Sequence, residues 1–408
     1  MAEAFLIGGA RTPVGRYGGA LSSIRPDDLA ALTVRAAVER AGIDPGVVDE
    51  VILGNANGAG EENRNVARMA WLLAGYPDSV PGITVNRLCA SGLSAIIMAS
   101  HMVKAGAADI VVAGGVESMS RAPWVMEKPA TAFAKPGAVA DTSIGWRFTN
   151  PGFLTGQHSR NGKAAYSMPE TAEEVARVYG TTRDDCDAFA ARSHQRALAA
   201  IAAGRFADEI VPVSITGRKG ATTMVDTDEG PRPGTTPDIL AGLRPVVAGG
   251  TVVTAGNASS LNDGASAIIV ASEAAVQKYG LTPRARILEG SSAGVAPEVM
   301  GIGPVPATRK VLDRAGLTVG DLGAVELNEA FASQSLAVMR ELKLEADTVN
   351  ADGGAIALGH PLGSSGSRLV ITLLGRMERE LTAGARKLGL ATMCVGVGQG
   401  TALLLEGV

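Results

Sequence analysis

Aromatic residues, histidine and cysteine are all scarce in this chain of 408 residues. Aromatics make up 4%, histidine occurs four times and cysteine three times. The cysteines, at positions 89, 186 and 394, are odd in number and far apart. They form neither a disulfide framework nor a zinc-binding spacing, and no metal is expected. A chain that needs free thiols fits a reducing, cytoplasmic location. Basic runs are absent and the net charge is −4, which argues against nucleic acid and anionic membrane surfaces as partners. No apolar stretch approaches the ~18 residues needed to cross a bilayer. The first residues, Met1 to Ile7, read as the start of a strand and lack the charged segment that opens a secretion signal.

Glycine is abundant instead, with 52 residues, well above the ~7% of an average chain. Hydrophobic residues reach 46% and charged residues 19%, so the chain is globular. An interior of Ala, Val, Leu and Gly fits helices packed closely on mainly parallel sheets. The length exceeds one ordinary core and implies two or more domains.

The most informative stretch runs from Asn86 to Ile96, Asn-Arg-Leu-Cys-Ala-Ser-Gly-Leu-Ser-Ala-Ile. A strand-like run, Ile83 to Val85, ends in a polar turn, and small residues after Cys89 lead into an apolar helix from Leu93 to Val103. A thiol at a helix N-terminus meets free N–H groups and the helix dipole, both of which favour the nucleophilic thiolate. Further on come Asn328-Glu329-Ala330-Phe331, then Gly359-His360-Pro361 within a glycine-rich run from Gly353 to Gly366. Last comes Met393-Cys394-Val395-Gly396-Val397-Gly398-Gln399-Gly400. A second cysteine and a histidine embedded in glycine mark a place where backbone approaches a ligand closely. Nucleophile, base and oxyanion donors are the parts that acyl transfer requires.

The chain also repeats itself. A shift of 274 residues aligns Arg35–Ala56 with Arg309–Ala330, matching among others Arg40-Ala41-Gly42 with Arg314-Ala315-Gly316. Both copies read as helix, glycine stop, turn and strand, and the order continues alike: a strand and glycine-rich turn, a helix, then an apolar strand ending in glycine. Alternating strands and helices imply βαβ units. The expected organisation is an N-terminal half at 1–119, completed by 251–280, and a C-terminal half at 281–408. Inserted in the first half lies a substrate-binding loop segment at 120–250, rich in Pro, Gly, Arg and Thr. One clear helix in the insert, Thr182 to Ala203, opens with a capping pattern.

These boxes, in this order and over nearly the whole chain, resemble the thiolase family of acyl-CoA C-acyltransferases. Within it, Gly145-Trp146-Arg147-Phe148, Ser167 to Glu173 and Val299 to Pro306 are similar to 3-oxoadipyl-CoA thiolases. The resemblance implies a five-layer αβαβα fold and a homodimer or homotetramer. It implies acyl-CoA and coenzyme A as substrates and no permanently bound cofactor. By the resemblance, Cys89 is the acylated nucleophile, His360 its base and Cys394 the acid/base for the second substrate. Asn328 and His360 form one oxyanion hole; the N–H groups of Cys89 and Gly396 form the other. Ser259 and Arg232 contact coenzyme A, and Met168 and Phe331 line the acyl pocket. Cleaving a 3-oxoacyl-CoA creates two oxyanions, an enolate and a tetrahedral adduct, so two holes are needed. The stretch from Gly152 to Tyr166 is longer than that subfamily leads one to expect. A carboxylated acyl group would need a cation, for which Arg147, Arg160 and Lys163 stand in the loop region.

Each residue taken singly also has a bland role. Cys394 could be core, His360 a turn residue and Asn328 a helix cap. The glycines at 353–366 precede no Gly-Lys-Ser/Thr and so form no P-loop. Cys186 matches no motif, His101 reads as a structural residue, and His158 and His194 read as solvated. Competing functions are an acetoacetyl-CoA thiolase working in the condensing direction, a decarboxylating synthase and a non-catalytic acyl-CoA-binding homologue. The box around Cys394 argues against the synthase, and intact Cys89, His360 and Cys394 argue against the binding module.

Overall fold

The computed structural model describes residues 3–155, 165–217, 220–381 and 387–408. Nine strands form the body of one sheet: β1 (Ala4–Arg11), β2 (Glu50–Gly54), β3 (Gly82–Val85), β4 (Ile110–Ser118), β5 (Asn262–Ser272), β6 (Ala285–Gly294), β7 (Ala324–Leu327), β8 (Leu388–Val395) and β9 (Gln399–Gly407). Their order is β7-β8-β9-β6-β1-β5-β4-β2-β3, and the short strand Gly15–Arg16 pairs with β5 as the tenth. In the first half β3, β2 and β4 are parallel, while β5 and β1 run antiparallel. The second half repeats this with β7 parallel to β8, and β9 and β6 antiparallel. Val349 bridges in parallel to Val325 of β7, in the place that β3 holds beside β2. The halves meet where Phe5 and Leu6 of β1 pair with Arg286 and Ala285 of β6.

The expectation of mainly parallel sheets is therefore corrected to a mixed sheet. Val395 pairs directly with Gln399, and a turn this tight can only join antiparallel strands. Val397 and Gly398 form it with φ of 64° and 81°.

Eight longer helices are α1 (Pro26–Ala41), α2 (Val66–Leu73), α3 (Ser91–Lys104), α4 (Met168–Tyr179), α5 (Arg183–Ala202), α6 (Pro304–Ala315), α7 (Ala332–Leu342) and α8 (Leu362–Glu380). Side chains on a strand alternate between faces, and the clusters follow that alternation. Val111, Ile268, Leu403 and Leu405 pack on Leu93 and Ile96 of α3 and Leu369 and Leu373 of α8. Their neighbours Val112 and Ile269 pack outward on Leu29 of α1 and Trp71 of α2. Leu390 and Leu404 pack on Val311 of α6 and Val338 of α7. The result is five layers, α1/α2, half-sheet, α3/α8, half-sheet, α6/α7.

Within 120–250, α5 starts where expected. Thr182 Oγ1 accepts the Asp185 N–H at 3.1 Å, and Asp185 Oδ2 accepts the Thr182 N–H in return. This segment is tied to β1 by Arg11, which is 1% exposed and reaches Glu209 and Asp228, each at 2.7 Å. Removing any partner of this cluster would leave a buried charge uncompensated.

Candidate active site

The site forms where α3 and α8 begin, and glycine makes the approach possible. A Cβ on Gly92 would lie 2.6 Å from the Gly363 carbonyl oxygen, and one on Gly115 would overlap that same oxygen. Backbone therefore touches backbone beneath the cysteine box.

Cys89 sits in a single 3-10 turn, Leu88–Ala90, that leads into α3. Leu88 holds a left-handed φ of 47°, which costs a branched residue energy. Its conformation is fixed on both sides. Asn86 Oδ1 accepts the Leu88 N–H at 2.8 Å, and Ser91 Oγ donates to the Leu88 carbonyl at 2.6 Å. The Cys89 thiol is pushed up to about 11 by burial, although the N–H groups of Gly396 and of Cys89 itself pull the other way. Helix position alone leads one to expect a lowered thiol; here desolvation outweighs it, so the thiolate needs a base.

His360 is 5% exposed, and burial pushes its imidazole down to about 3, with Arg368 adding to the shift. It is held neutral. Its backbone N–H donates to Asn262 Oδ1 at 2.9 Å, and Gly359 before it takes a φ of 108° against the Asn262 amide. Ser365 Oγ lies 2.6 Å from Nδ1, and the Asn328 amide nitrogen lies 3.3 Å from Nε2. Asn328 does not cap α7, where Phe331 holds the cap position. It is fully buried, its N–H donates to the Thr392 carbonyl at 3.0 Å, and its Oδ1 has no partner among the described residues. Cys394, two residues beyond Thr392, is 1% exposed, and its thiol is pushed upward by burial and by nearby Cys89.

A cavity of about 220 Å³ opens on Cys89 and Gly396 and is lined by Met168, Trp146 and Arg147. A Cβ on Gly396 would come within 3.1 Å of Leu88 Cδ1. Phe331 is buried with Cys394 and Met168 in one apolar cluster. Arg232 lies apart from this group. It lines a separate small cavity with His194 and Ser260. Ser259 N–H donates to the Ala330 carbonyl at 3.0 Å. Arg160, Lys163 and His158 lie outside the described residues.

Sequence reasoning missed Glu117. It is 3% exposed, lines the cavity, and its Oε2 accepts N–H groups of Ala56 and Gly363, both at 2.9 Å. Burial pushes its carboxyl up to about 7. The available signal was an acid closing the otherwise apolar strand β4. His194 is corrected: it is 5% exposed rather than solvated, and its Nδ1 accepts the Arg232 N–H at 3.1 Å. His101 is exposed on α3 rather than structural. Cys186 lies on the core-facing side of α5 and is buried.

A family description, thiolase N-terminal domain, matches residues 4–274, and thiolase C-terminal domain matches 281–407. The chain belongs to the thiolase family. It is thus an acyltransferase that works on acyl-CoA and coenzyme A with no permanently bound cofactor. It is similar to the beta-ketoadipyl-CoA thiolase of Pseudomonas aeruginosa, 57% identical over 409 residues and covering 100% of this chain and 99% of that one. The 3-oxoadipyl-CoA/3-oxo-5,6-dehydrosuberyl-CoA thiolase of Escherichia coli is 54% identical, with 100% of each chain covered. Among solved structures, the Bacillus anthracis acetyl-CoA acetyltransferase superposes with a TM-score of 0.90 at 40% identity, covering 100% of this chain and 99% of that one. Among the described residues no helix is long and apolar enough to cross a membrane.

Proposed function

We propose that this thiolase cleaves 3-oxoadipyl-CoA with coenzyme A to succinyl-CoA and acetyl-CoA, a step of aromatic degradation. The carrying observation is full-length identity of 50–57% to seven relatives named for that substrate or its synonym, against 47% to an acetyl-CoA acetyltransferase.

In this reading His360 Nε2 takes the Cys89 proton, and the thiolate adds to the 3-keto carbon. The tetrahedral oxyanion is held by the N–H groups of Cys89 and Gly396. Collapse breaks the Cα–Cβ bond and leaves a succinyl thioester on Cys89. The electron pair goes to the acetyl-CoA enolate, whose oxygen is held by His360 and a water on Asn328. The unpartnered Asn328 Oδ1 supports that water site. Cys394 gives the α-carbon its proton and then deprotonates the incoming coenzyme A, which attacks the thioester. Met168 and Phe331 bound the acyl group, and Ser259 and Arg232 contact coenzyme A. The segment 120–250 acts as the substrate- and coenzyme-binding insert within the first half, 1–119 with 251–280, and 281–408 forms the second half. Self-association into a homodimer or homotetramer belongs to the same reading. Edge strand β3 exposes Ile83, and an open edge of this kind calls for cover. Three free thiols support a cytoplasmic location.

The test is a panel of 3-oxoacyl-CoAs, with acid-quenched peptide mapping of the acylated residue. Highest kcat/KM on 3-oxoadipyl-CoA and acylation at Cys89 alone are expected. A preference for acetoacetyl-CoA or for long unbranched chains overturns the substrate, and acylation at Cys186 or Cys394 overturns the nucleophile.

A further inference from the structure

Among the described residues, the cavity over Cys89 has two side chains of the acidic or basic kind, Glu117 and Arg147; much of its lining is apolar, including Leu88, Met119, Ile144 and Met168. Glu117 is occupied by backbone N–H groups on its own wall. Arg147 is different. A guanidinium has five N–H donors, and here one bond is made, from Nη2 to Asn57 Oδ1 at 3.1 Å. No carboxylate of the described residues lies within ion-pair distance. A half-buried cation without a counter-ion is costly unless something pairs with it.

The residue is also held in place. Asn57 Nδ2 donates to Thr142 Oγ1 at 2.9 Å and to its carbonyl at 3.2 Å, and Thr142 Oγ1 donates to the Pro123 carbonyl at 2.6 Å. That chain turns Asn57 Oδ1 toward the guanidinium. On the other side Trp146 Nε1 donates to the Tyr166 carbonyl at 2.7 Å, and its ring packs on Phe153 with centroids 5.8 Å apart. Gly145 and Phe148 bracket the pair with φ of 88° and 50°. Arg147 is thus carried on an anchored turn rather than a free surface loop.

We propose that Arg147 is the receptor for the terminal carboxylate of the acyl group, and so the residue that makes a dicarboxylic acyl-CoA the preferred substrate. The assignment rests on the substrate reading above. A short acyl group attached to Cys89 sets its methylenes among apolar side chains and its anion against the guanidinium fork, which pairs with a carboxylate in a bidentate manner.

A phosphate of coenzyme A is the other anion that could reach Arg147, and it is common to every substrate. The experiment therefore compares 3-oxoadipyl-CoA with acetoacetyl-CoA, which carries the same phosphates and no carboxylate, in Arg147→Ala, Arg147→Gln and Arg147→Lys. For Ala and Gln, kcat/KM on 3-oxoadipyl-CoA should fall roughly 10- to 100-fold, mainly through KM, with acetoacetyl-CoA changing by less than about threefold. Lys, which keeps charge but not the fork, should fall between. Equal losses on both substrates would assign Arg147 to coenzyme A or to the fold and overturn the proposal. A wild-type preference for 3-oxoadipyl-CoA that survives Arg147→Ala overturns Arg147 alone. A wild type that does not turn over 3-oxoadipyl-CoA removes the substrate reading and this assignment with it.

Discussion

Ser365 Oγ lies 2.6 Å from His360 Nδ1 and donates its own proton to the Pro361 carbonyl at 2.9 Å. With that proton committed, Ser365 can only accept from the imidazole. The ring proton is therefore assigned to Nδ1, and the Nε2 lone pair faces the Asn328 amide. The first turn of α8 thus sets the tautomer of the histidine two residues before it.

Ser365→Ala should lower kcat about tenfold with KM little changed, since it removes a hydrogen bond that orients the proposed base and nothing proposed to bind substrate. Steady-state kinetics on acetoacetyl-CoA checks this. A normal kcat would mean that Asn328 alone suffices to orient the ring.

Cys394→Ala should separate the two half-reactions. In the proposed mechanism, transfer of acetyl from acetyl-CoA to labelled coenzyme A forms no carbanion, and His360 can take the coenzyme A proton in place of Cys394, so exchange should remain measurable. Carbon–carbon cleavage should fall by several orders of magnitude. Equal loss of both would make Cys394 structural or a participant in acylation too.

The candidate side chains stood out in the sequence because each is flanked by residues with a narrow physical use. Gly92 lets α3 meet α8, Gly359 turns the chain before His360, and Gly396 leaves room beside Cys89. The capping pattern at Thr182 gave the start of α5 for a similar reason, since a hydroxyl and a carboxylate three residues apart do one local job. What stayed hidden depends on distant partners. Asn262 reaches His360 from another strand. Strand direction in the sheet follows from the return of β9 and β5, whose apolar runs mark strands but not the way they point. His194 is solvated by its sequence neighbours and buried by tertiary ones.

Glu117 gives a pH signature. The folded protein keeps its proton up to about pH 7, whereas the ordinary value is 4.5. Its contribution is fully present below pH 4.5 and is lost as pH rises through about 7. Glu117→Gln, whose amide oxygen can still accept both N–H groups, should abolish that part of the pH dependence. Relative to wild type it should gain ~1–3 kcal/mol between pH 5 and pH 8 in urea unfolding. It also removes a charge that raises the Cys89 thiol, so the alkaline rise of Cys89 alkylation should move to lower pH. A pH-independent difference between the two proteins would mean that Glu117 does not titrate in this range.

Gly115→Ala should be severely destabilising, by more than ~3 kcal/mol, because its Cβ would overlap the Gly363 carbonyl and neither backbone can yield alone. Gly8→Ala, on the same sheet with nothing within 4 Å of the new methyl, should stay within ~0.5 kcal/mol. Urea unfolding of the pair decides. Similar effects would show that α8 can shift away from β4.

The crossing of α3 and α8 has a consequence for how the chain acquires activity. Cys89 comes from the first half of the sequence and His360 and Cys394 from its last fifth, and the elements that carry Cys89 and His360 come together only where two helix starts seat glycine against glycine. Neither half alone carries a weaker version of the site. During synthesis the chain must hold an exposed thiol through most of its length before the histidine emerges. The first turnover is therefore a report that the two halves have docked, and an activity assay on refolding protein times that last event rather than the growth of either sheet.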